Sequence, residues 1–195
     1  MDSFEFRIAA ALLLISFIVH RGYYTRKVQH AQDEVVEQPD LGILSQIAGV
    51  LGLPTFLVTM IYVFVPTWIA WFALPFPIWM RWLGLVIALG GFGLLQWSQH
   101  TLSTNWSDTP IFAAGQQLVT AGPYGRIRHP IYTGFLLILG SLLLISANWL
   151  VGLLWIGMTS LDITARVNAE EQLMIEQFGD RYRQYMQQTG RLFPR

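Results

Sequence analysis

A chain of 195 residues that is 53% hydrophobic, 14% aromatic and only 12% charged departs far from the soluble average of about 25% charged residues, and reads as an integral membrane protein. Its zero formal net charge, with no basic run and no zinc-finger spacing, leaves no electrostatic footprint for nucleic acid. The absence of cysteine excludes disulfides, thiolate metal sites and a cysteine nucleophile.

No Pro/Ser-rich linker, low-complexity tract or internal repeat divides the sequence, so residues 1–195 are read as a single domain. Phe4 to Val19 is apolar apart from Glu5 and Arg7 and runs into His20, Arg21, Tyr23, Tyr24, Arg26 and Lys27. Those flanks predict a retained first helix rather than a cleaved signal peptide, which needs a positive start and a small-residue cleavage site. Gln29 to Asp40 holds four of the twelve acids and ends at Pro39-Asp40, the composition of a solvated loop. Ile43 to Val65 follows, 23 residues without a charge. At about 1.5 Å per residue it is long enough for a hydrocarbon core of about 30 Å, and Pro54 is expected to kink it. Trp68 and Trp71 in the connection from Pro66 to Pro77, with Trp79 and Trp82 beyond it, predict a short turn in an interfacial aromatic belt.

Trp82 to Gln99 is the third predicted span. Its glycines at 84, 90, 91 and 93 suit close approach of another helix more readily than of a ligand. From His100 to Thr120 the chain turns polar and aperiodic, a length of loop that is functional or disordered. Gly122 to Gly134 then gathers turn formers, two arginines, a histidine and two tyrosines between apolar segments. Gly122-Pro123 is incompatible with a helix interior, while Pro130 restrains His129 to extended backbone and suits the first turn of the next helix.

Ile131 to Leu161 contains 31 residues without charge, broken at Ser146-Ala147-Asn148-Trp149. Asn and Ser favour turns, and Trp an interface, so a tight hairpin is expected, its second arm continuing past Asp162. From Arg166 to Gln188 the spacing of Leu173 or Met174, Phe178, Tyr182 and Tyr185 or Met186 predicts an amphipathic extension of that helix, folding back towards the loop. With five spans, ten Lys and Arg fall on one side and only Arg7 and Arg81 on the other. The positive-inside rule then places the N-terminus outside and the loop and tail in the cytoplasm.

The loop and tail therefore meet. Arg166 and Glu170 are spaced i, i+4 and read as a helix ion pair, while His129, Tyr124 and Tyr132 lie opposite. Ionisable groups at the edge of a low-dielectric region are candidates for function. No second histidine stands at i+4 from another, since His20, His30 and His100 are scattered, so no metal site is expected.

Leu118-Val119-Thr120-x-Gly122-x-Tyr124, Arg128-His129-Pro130-x-Tyr132-x-Gly134, Arg166 with Glu170-Glu171, and Phe178-Gly179-x-x-Tyr182-x-x-Tyr185 occur in this order. The series resembles the isoprenylcysteine carboxyl methyltransferases, within the membrane methyltransferase superfamily that includes phospholipid N-methyltransferases. The likeness is close from Leu118 to the C-terminus and rests on hydropathy alone before it. It implies an all-α membrane fold of about five transmembrane helices, with the cofactor site built by residues 116–188. It implies S-adenosyl-L-methionine as methyl donor, S-adenosyl-L-homocysteine as product, and cofactor contacts at Gln116, Gln117, Leu118, Val119, Tyr124, His129, Pro130, Ile131, Tyr132 and Glu170. Gln116 and Gln117 match by position only. Arg166 takes the place of the substrate-binding and catalytic arginine, facing the carboxylate of a prenylated cysteine or similar lipid-linked acid. A phospholipid N-methyltransferase, whose amine must lose a proton, and a non-catalytic membrane scaffold are the alternatives.

Overall fold

Helix formers, prolines and glycines set the boundaries of this fold. The computed structural model describes residues 4–29, 41–102 and 118–195. Among the described residues the helices are α1 (Phe4–Gln29), α2 (Gly42–Phe64), α3 (Ile78–Leu102), α4 (Pro130–Gly140), α5 (Leu142–Ser146), α6 (Trp149–Phe178) and α7 (Asp180–Gln188). Three of them, α2, α3 and α6, are long and apolar enough to cross a membrane, and α4 with α5 forms a shorter apolar rod. The molecule is a multi-pass membrane protein. Its outer faces remain apolar: Val50 is 76% exposed and Leu89 70%, as befits surfaces whose solvent is acyl chain.

The inward faces of α1, α3, α4, α5 and α6 share one core that includes Phe6, Leu95, Ile138, Leu142, Ile145 and Val151. Between lipid-immersed helices apolar burial supplies little driving force, so close packing has to supply it. Gly84 and Gly91 of α3 do this. A Cβ on Gly84 would lie 2.9 Å from Ile145 Cγ1, and one on Gly91 would lie 2.8 Å from Ile138 Cγ1. Gly90 has nothing within 4 Å, so the glycines of α3 divide into a packing pair and an outward face. Helix packing, the more modest of the two expectations for this stripe, is the one realised at Gly84 and Gly91.

The helix ends at the tryptophan-rich face satisfy their backbone groups with side chains. Asn148 caps α6, its carbonyl oxygen Oδ1 accepting from the amides of Leu150 at 3.1 Å and Val151 at 3.2 Å. Its Nδ2 donates to the carbonyl of Ile69 at 3.0 Å. Ala147, at φ 47°, turns the chain in the left-handed region, and its carbonyl accepts from the Leu74 amide at 2.6 Å. The predicted hairpin break therefore exists and is pinned to the connection after α2. That connection is more than a short turn: Pro66–Phe72 forms a 3₁₀ helix, and Ala73 bridges to Asn148. α2 runs through Pro54 as one helix.

Arg7 and Arg81, which stand apart from the other ten basic residues in the charge pattern, also cap helix ends. Arg7 Nε donates to the carbonyl of Val63 at 2.7 Å, near the end of α2. Arg81 Nε donates to that of Ile145 at 2.9 Å, near the end of α5, and Nη2 reaches Tyr62 Oη at 3.1 Å. The guanidinium of Arg81 also lies over the Phe6 ring, 4.2 Å from its centroid. Cations at helix C-termini face the negative end of the macrodipole.

A paired substitution tests the packing of α3. Gly91→Leu is expected to destabilise the detergent-solubilised protein by about 1–3 kcal/mol through overpacking, whereas Gly90→Leu leaves the melting temperature unchanged or raises it. Equal melting curves for the two variants would contradict this packing.

Candidate active site

The loop ahead of α4 is shaped by two conformational constraints. Gly122 adopts φ +58°, and a Cβ there would lie 2.9 Å from Thr101 Oγ1, so glycine is required by both conformation and space. Gly122–Gly125 closes a 3₁₀ turn with Pro123 near its start. It leaves Tyr124 buried and Ile127 in contact with the tail. His129 has φ −123° and ψ 60° and precedes α4, with Pro130 as the first helical residue. The proline ends the loop and starts the helix, as the sequence predicts.

The C-terminal segment then lies along this loop. The amide of Gly190 donates to Arg126 O at 3.0 Å, that of Arg128 to Gly190 O at 2.8 Å, and that of His129 to Arg191 O at 3.1 Å. Thr133 Oγ1 donates to the carbonyl of Leu192. Tyr185 Oη donates to the carbonyl of Tyr124 at 2.6 Å. Burial first, against an opposing effect of Arg128, pushes the Tyr185 phenol up to about 12, so it remains a donor at neutral pH. Tyr124 is raised as well, by burial and then by the charge of Glu170.

An ionic cluster joins loop, α6 and tail. Arg128 Nε pairs with Glu171 Oε1 at 3.0 Å, and its Nη1 donates to the carbonyls of Met186, at 3.0 Å, and Thr189. Arg191 Nη2 pairs with Glu171 Oε2 at 2.9 Å and donates to Asn168 Oδ1 at 2.6 Å. His129 sits between the two glutamates, with Nδ1 3.3 Å from Glu170 Oε2 and Nε2 3.3 Å from Glu171 Oε1. Tyr132 Oη donates to Glu170 Oε1. Burial alone pushes the His129 pKa down, but the hydrogen bonds and charges of Glu170 and Glu171 outweigh it and hold the pKa above its ordinary value.

His129, Tyr132 and Glu170 of the sequence-derived set are thus brought into direct contact, and Tyr124 lies within the field of Glu170. Pro130 and Ile131 are buried in the first turn of α4, and Leu118 and Val119 lead half-buried into the loop. Gln116 and Gln117 lie outside the described residues. Arg166 shares the neighbourhood, since its charge acts on Tyr132. Its Nε pairs with Asp162 at 2.9 Å, one turn before it on α6. The tail also differs from a single helix over 166–188. Gly179, at φ 54° and ψ −127°, separates α6 from α7, and this break turns Tyr182 and Tyr185 into the core.

Sequence reasoning missed the structural work of Arg128, Glu171 and Arg191, and the pairing of 190–192 with the loop. Adjacent Arg-His and adjacent Glu-Glu were the available signal: two neighbouring bases matched to two neighbouring acids. Nothing in the local pattern of 189–195 announced a segment paired with the loop.

Replacing Arg128 by Met is expected to destabilise the protein by about 3–5 kcal/mol, because Glu171 and two carbonyls lose a buried cation; thermal melting checks this. The raised His129 pKa gives a pH dependence of definite sign. Its contribution is complete below the unfolded value of about 6.5 and is lost as pH rises through the higher folded value. Melting temperature should therefore fall over that alkaline limb, and the slope should vanish in His129→Gln.

Comparison with known proteins follows this geometry. The profile of the isoprenylcysteine carboxyl methyltransferase (ICMT) family matches residues 82–176, which include most of α3, the described part of the loop, α4, α5 and most of α6. Methanethiol S-methyltransferase 1 of Bradyrhizobium diazoefficiens is 32% identical over 103 residues, covering 53% of this chain and 33% of that protein. The structure of the eukaryotic intramembrane Ras methyltransferase ICMT superposes with a TM-score of 0.56 at 21% identity, over 82% of this chain and 54% of that one, and so shares its fold. The matches span about a third of the curated relative and about half of the solved chain. The profile of the isoprenylcysteine carboxyl methyltransferase family thus matches a little under half of the chain, in the segment that supplies both the Arg128-His129 loop and the Glu170-Glu171 pair.

Proposed function

We infer that the protein is an S-adenosylmethionine-dependent methyltransferase of the membrane, acting on the carboxylate of a prenylated cysteine or a similar lipid-linked acid. The observation that carries this reading is the contact of His129, Tyr132 and Glu170 at the junction of loop, α4 and α6, inside the segment matched by the family. The residues fit such a donor. The side chain of Glu170 retains 25% exposure and keeps acceptor capacity beyond Tyr132 and His129, suited to an ammonium or ribose hydroxyl. Aromatic faces at Tyr124 and Tyr132 suit a sulfonium cation. Leu118, Val119, Pro130 and Ile131 line the apolar side, and Gln116 and Gln117 complete the proposed contacts.

The donor, when bound, supplies a methyl group activated by the sulfonium. A carboxyl group with a pKa near 3.5 is ionised at neutral pH, so the chain's task is to position it and keep water away. Arg166 holds the acceptor carboxylate, and Asp162 at 2.9 Å moderates its grip, so that one acceptor oxygen stays nucleophilic. With five passes and the N-terminus outside, loop and tail face the cytoplasm, the side favoured by the ten-to-two basic asymmetry.

The named relative supports a second acceptor class, a small thiol, which must lose a proton before or during attack. Calorimetric titration with S-adenosylhomocysteine is the direct test. Saturable binding by the wild type, weakened about tenfold or more in Glu170→Ala, is expected; a folded protein that binds none would overturn the reading. Arg166→Ala should lower kcat/KM for a prenylcysteine carboxylate by about 10- to 100-fold with little change in cofactor affinity. Turnover of methanethiol but not of the prenylcysteine would move the assignment to the thiol class.

A further inference from the structure

Glu170 and Glu171 are neighbours on α6, and successive helical residues point about 100° apart, so they cannot present their carboxylates to one point. His129 spans the gap, one ring nitrogen 3.3 Å from each acid. The two acids are otherwise unlike. Glu171 is buried, its side chain 10% exposed, and both its oxygens are engaged: Oε1 by Arg128 at 3.0 Å and by His129, Oε2 by Arg191 at 2.9 Å. A carboxylate with about four acceptor positions that already serves three basic groups has little left for a ligand. Glu170 is more open, its side chain 25% exposed, and meets Tyr132 and His129. One acid is built to be held, the other to be used.

We propose that Glu171 is a positioning residue: it fixes the ring of His129 and the guanidinium of Arg128 so that Glu170, His129 and Tyr132 face the methyl donor, and Arg191 of the C-terminal segment completes its hold. The donor part of this rests on the methyltransferase reading; the hold on His129 does not. Arg191 anchors to Asn168 on α6 as well as to Glu171, while its backbone carbonyl receives the His129 amide. The same tail residue thus grips His129 from the backbone and Glu171 from the side chain. An apparently peripheral residue, with its side chain 42% exposed, thereby reaches the donor site through one intermediary.

The test uses the full chain in detergent and two variants. Glu171→Gln keeps size and one acceptor oxygen but turns a donor towards a cation. Arg191→Ala removes a half-exposed side chain whose loss spares the core. S-adenosylhomocysteine affinity is measured by calorimetry, and the titration of the His129 imidazole by ¹⁵N NMR of the unliganded protein. The charged and titratable groups that face this ring are Glu170 and Glu171 from α6, Tyr132 from α4, Arg128 from the loop and Arg191 from the tail.

Glu171→Gln is expected to weaken binding about tenfold, the scale of one lost hydrogen bond to a charged group, and to move the His129 titration to lower pH. Arg191→Ala should weaken binding a few-fold, about the smaller share expected of a half-exposed pair. Weakened binding with an unmoved His129 titration would mean that Glu171 merely supports the fold, and would overturn the proposal. Unchanged affinity in both variants would overturn it equally. If the wild type binds no S-adenosylhomocysteine while Glu171→Gln still shifts the His129 titration, the hold on the ring stands and the methyl-donor reading falls.

Discussion

The buried guanidinium of Arg128 is the interaction on which the site depends. It is bonded to an acid of α6 and to two carbonyls of the tail, and the backbone amide of the same residue donates to the Gly190 carbonyl. A largely buried cation is costly unless it is matched, and its matching groups come from α6 and the tail, so that three stretches of chain, the loop included, meet here. None of the three can shift without leaving a charge or a carbonyl uncompensated. Loop, α6 and tail are thereby held as one body, and His129, next in sequence, takes its place between Glu170 and Glu171 as a consequence.

At the opposite end of the helices the same constraint appears in neutral form. Lipid offers no partner for an exposed carbonyl, so the breaks between helices are furnished with side chains. Asn148 satisfies two amides and reaches across to Ile69, while Arg7 and Arg81 each take a carbonyl near a helix end. The two arginines that run against the charge asymmetry are therefore accounted for by capping. Between the two ends the glycines of α3 let α4 and α5 approach closely, which sets the position of α4 and hence of Tyr132 relative to α6.

Much of this was legible in advance because membrane helices announce themselves by hydropathy, and because proline and glycine restrict the backbone locally. The break at Ser146 to Trp149, the start of α4 at Pro130 and the continuation of α6 past Asp162 all follow from composition within a few residues. That the loop bearing Tyr132 would lie opposite Glu170 was expected from motif order; their direct hydrogen bond was not. What escaped depends on distant partners. Arg166 has acids at both i−4 and i+4, and spacing alone did not single out the contact of its Nε with Asp162. Gly179 reads as a motif glycine until its φ of 54° shows that it ends a helix. The run at 190–192 has no regular pattern of its own, since its hydrogen-bond partners in the loop, not its side chains, impose its conformation.

That run also fixes an order of events. Residues 190–192 are synthesised after every apolar helix, yet they supply backbone partners to Arg128 and His129, more than sixty positions earlier. Until the tail arrives, the loop lacks the backbone partners of its Arg128 and His129 amides, and the Arg128 guanidinium has Glu171 of α6 but not its two carbonyls. Insertion of the helices and completion of the site are thus separate steps in biogenesis, and the second is delayed until synthesis has passed residue 192.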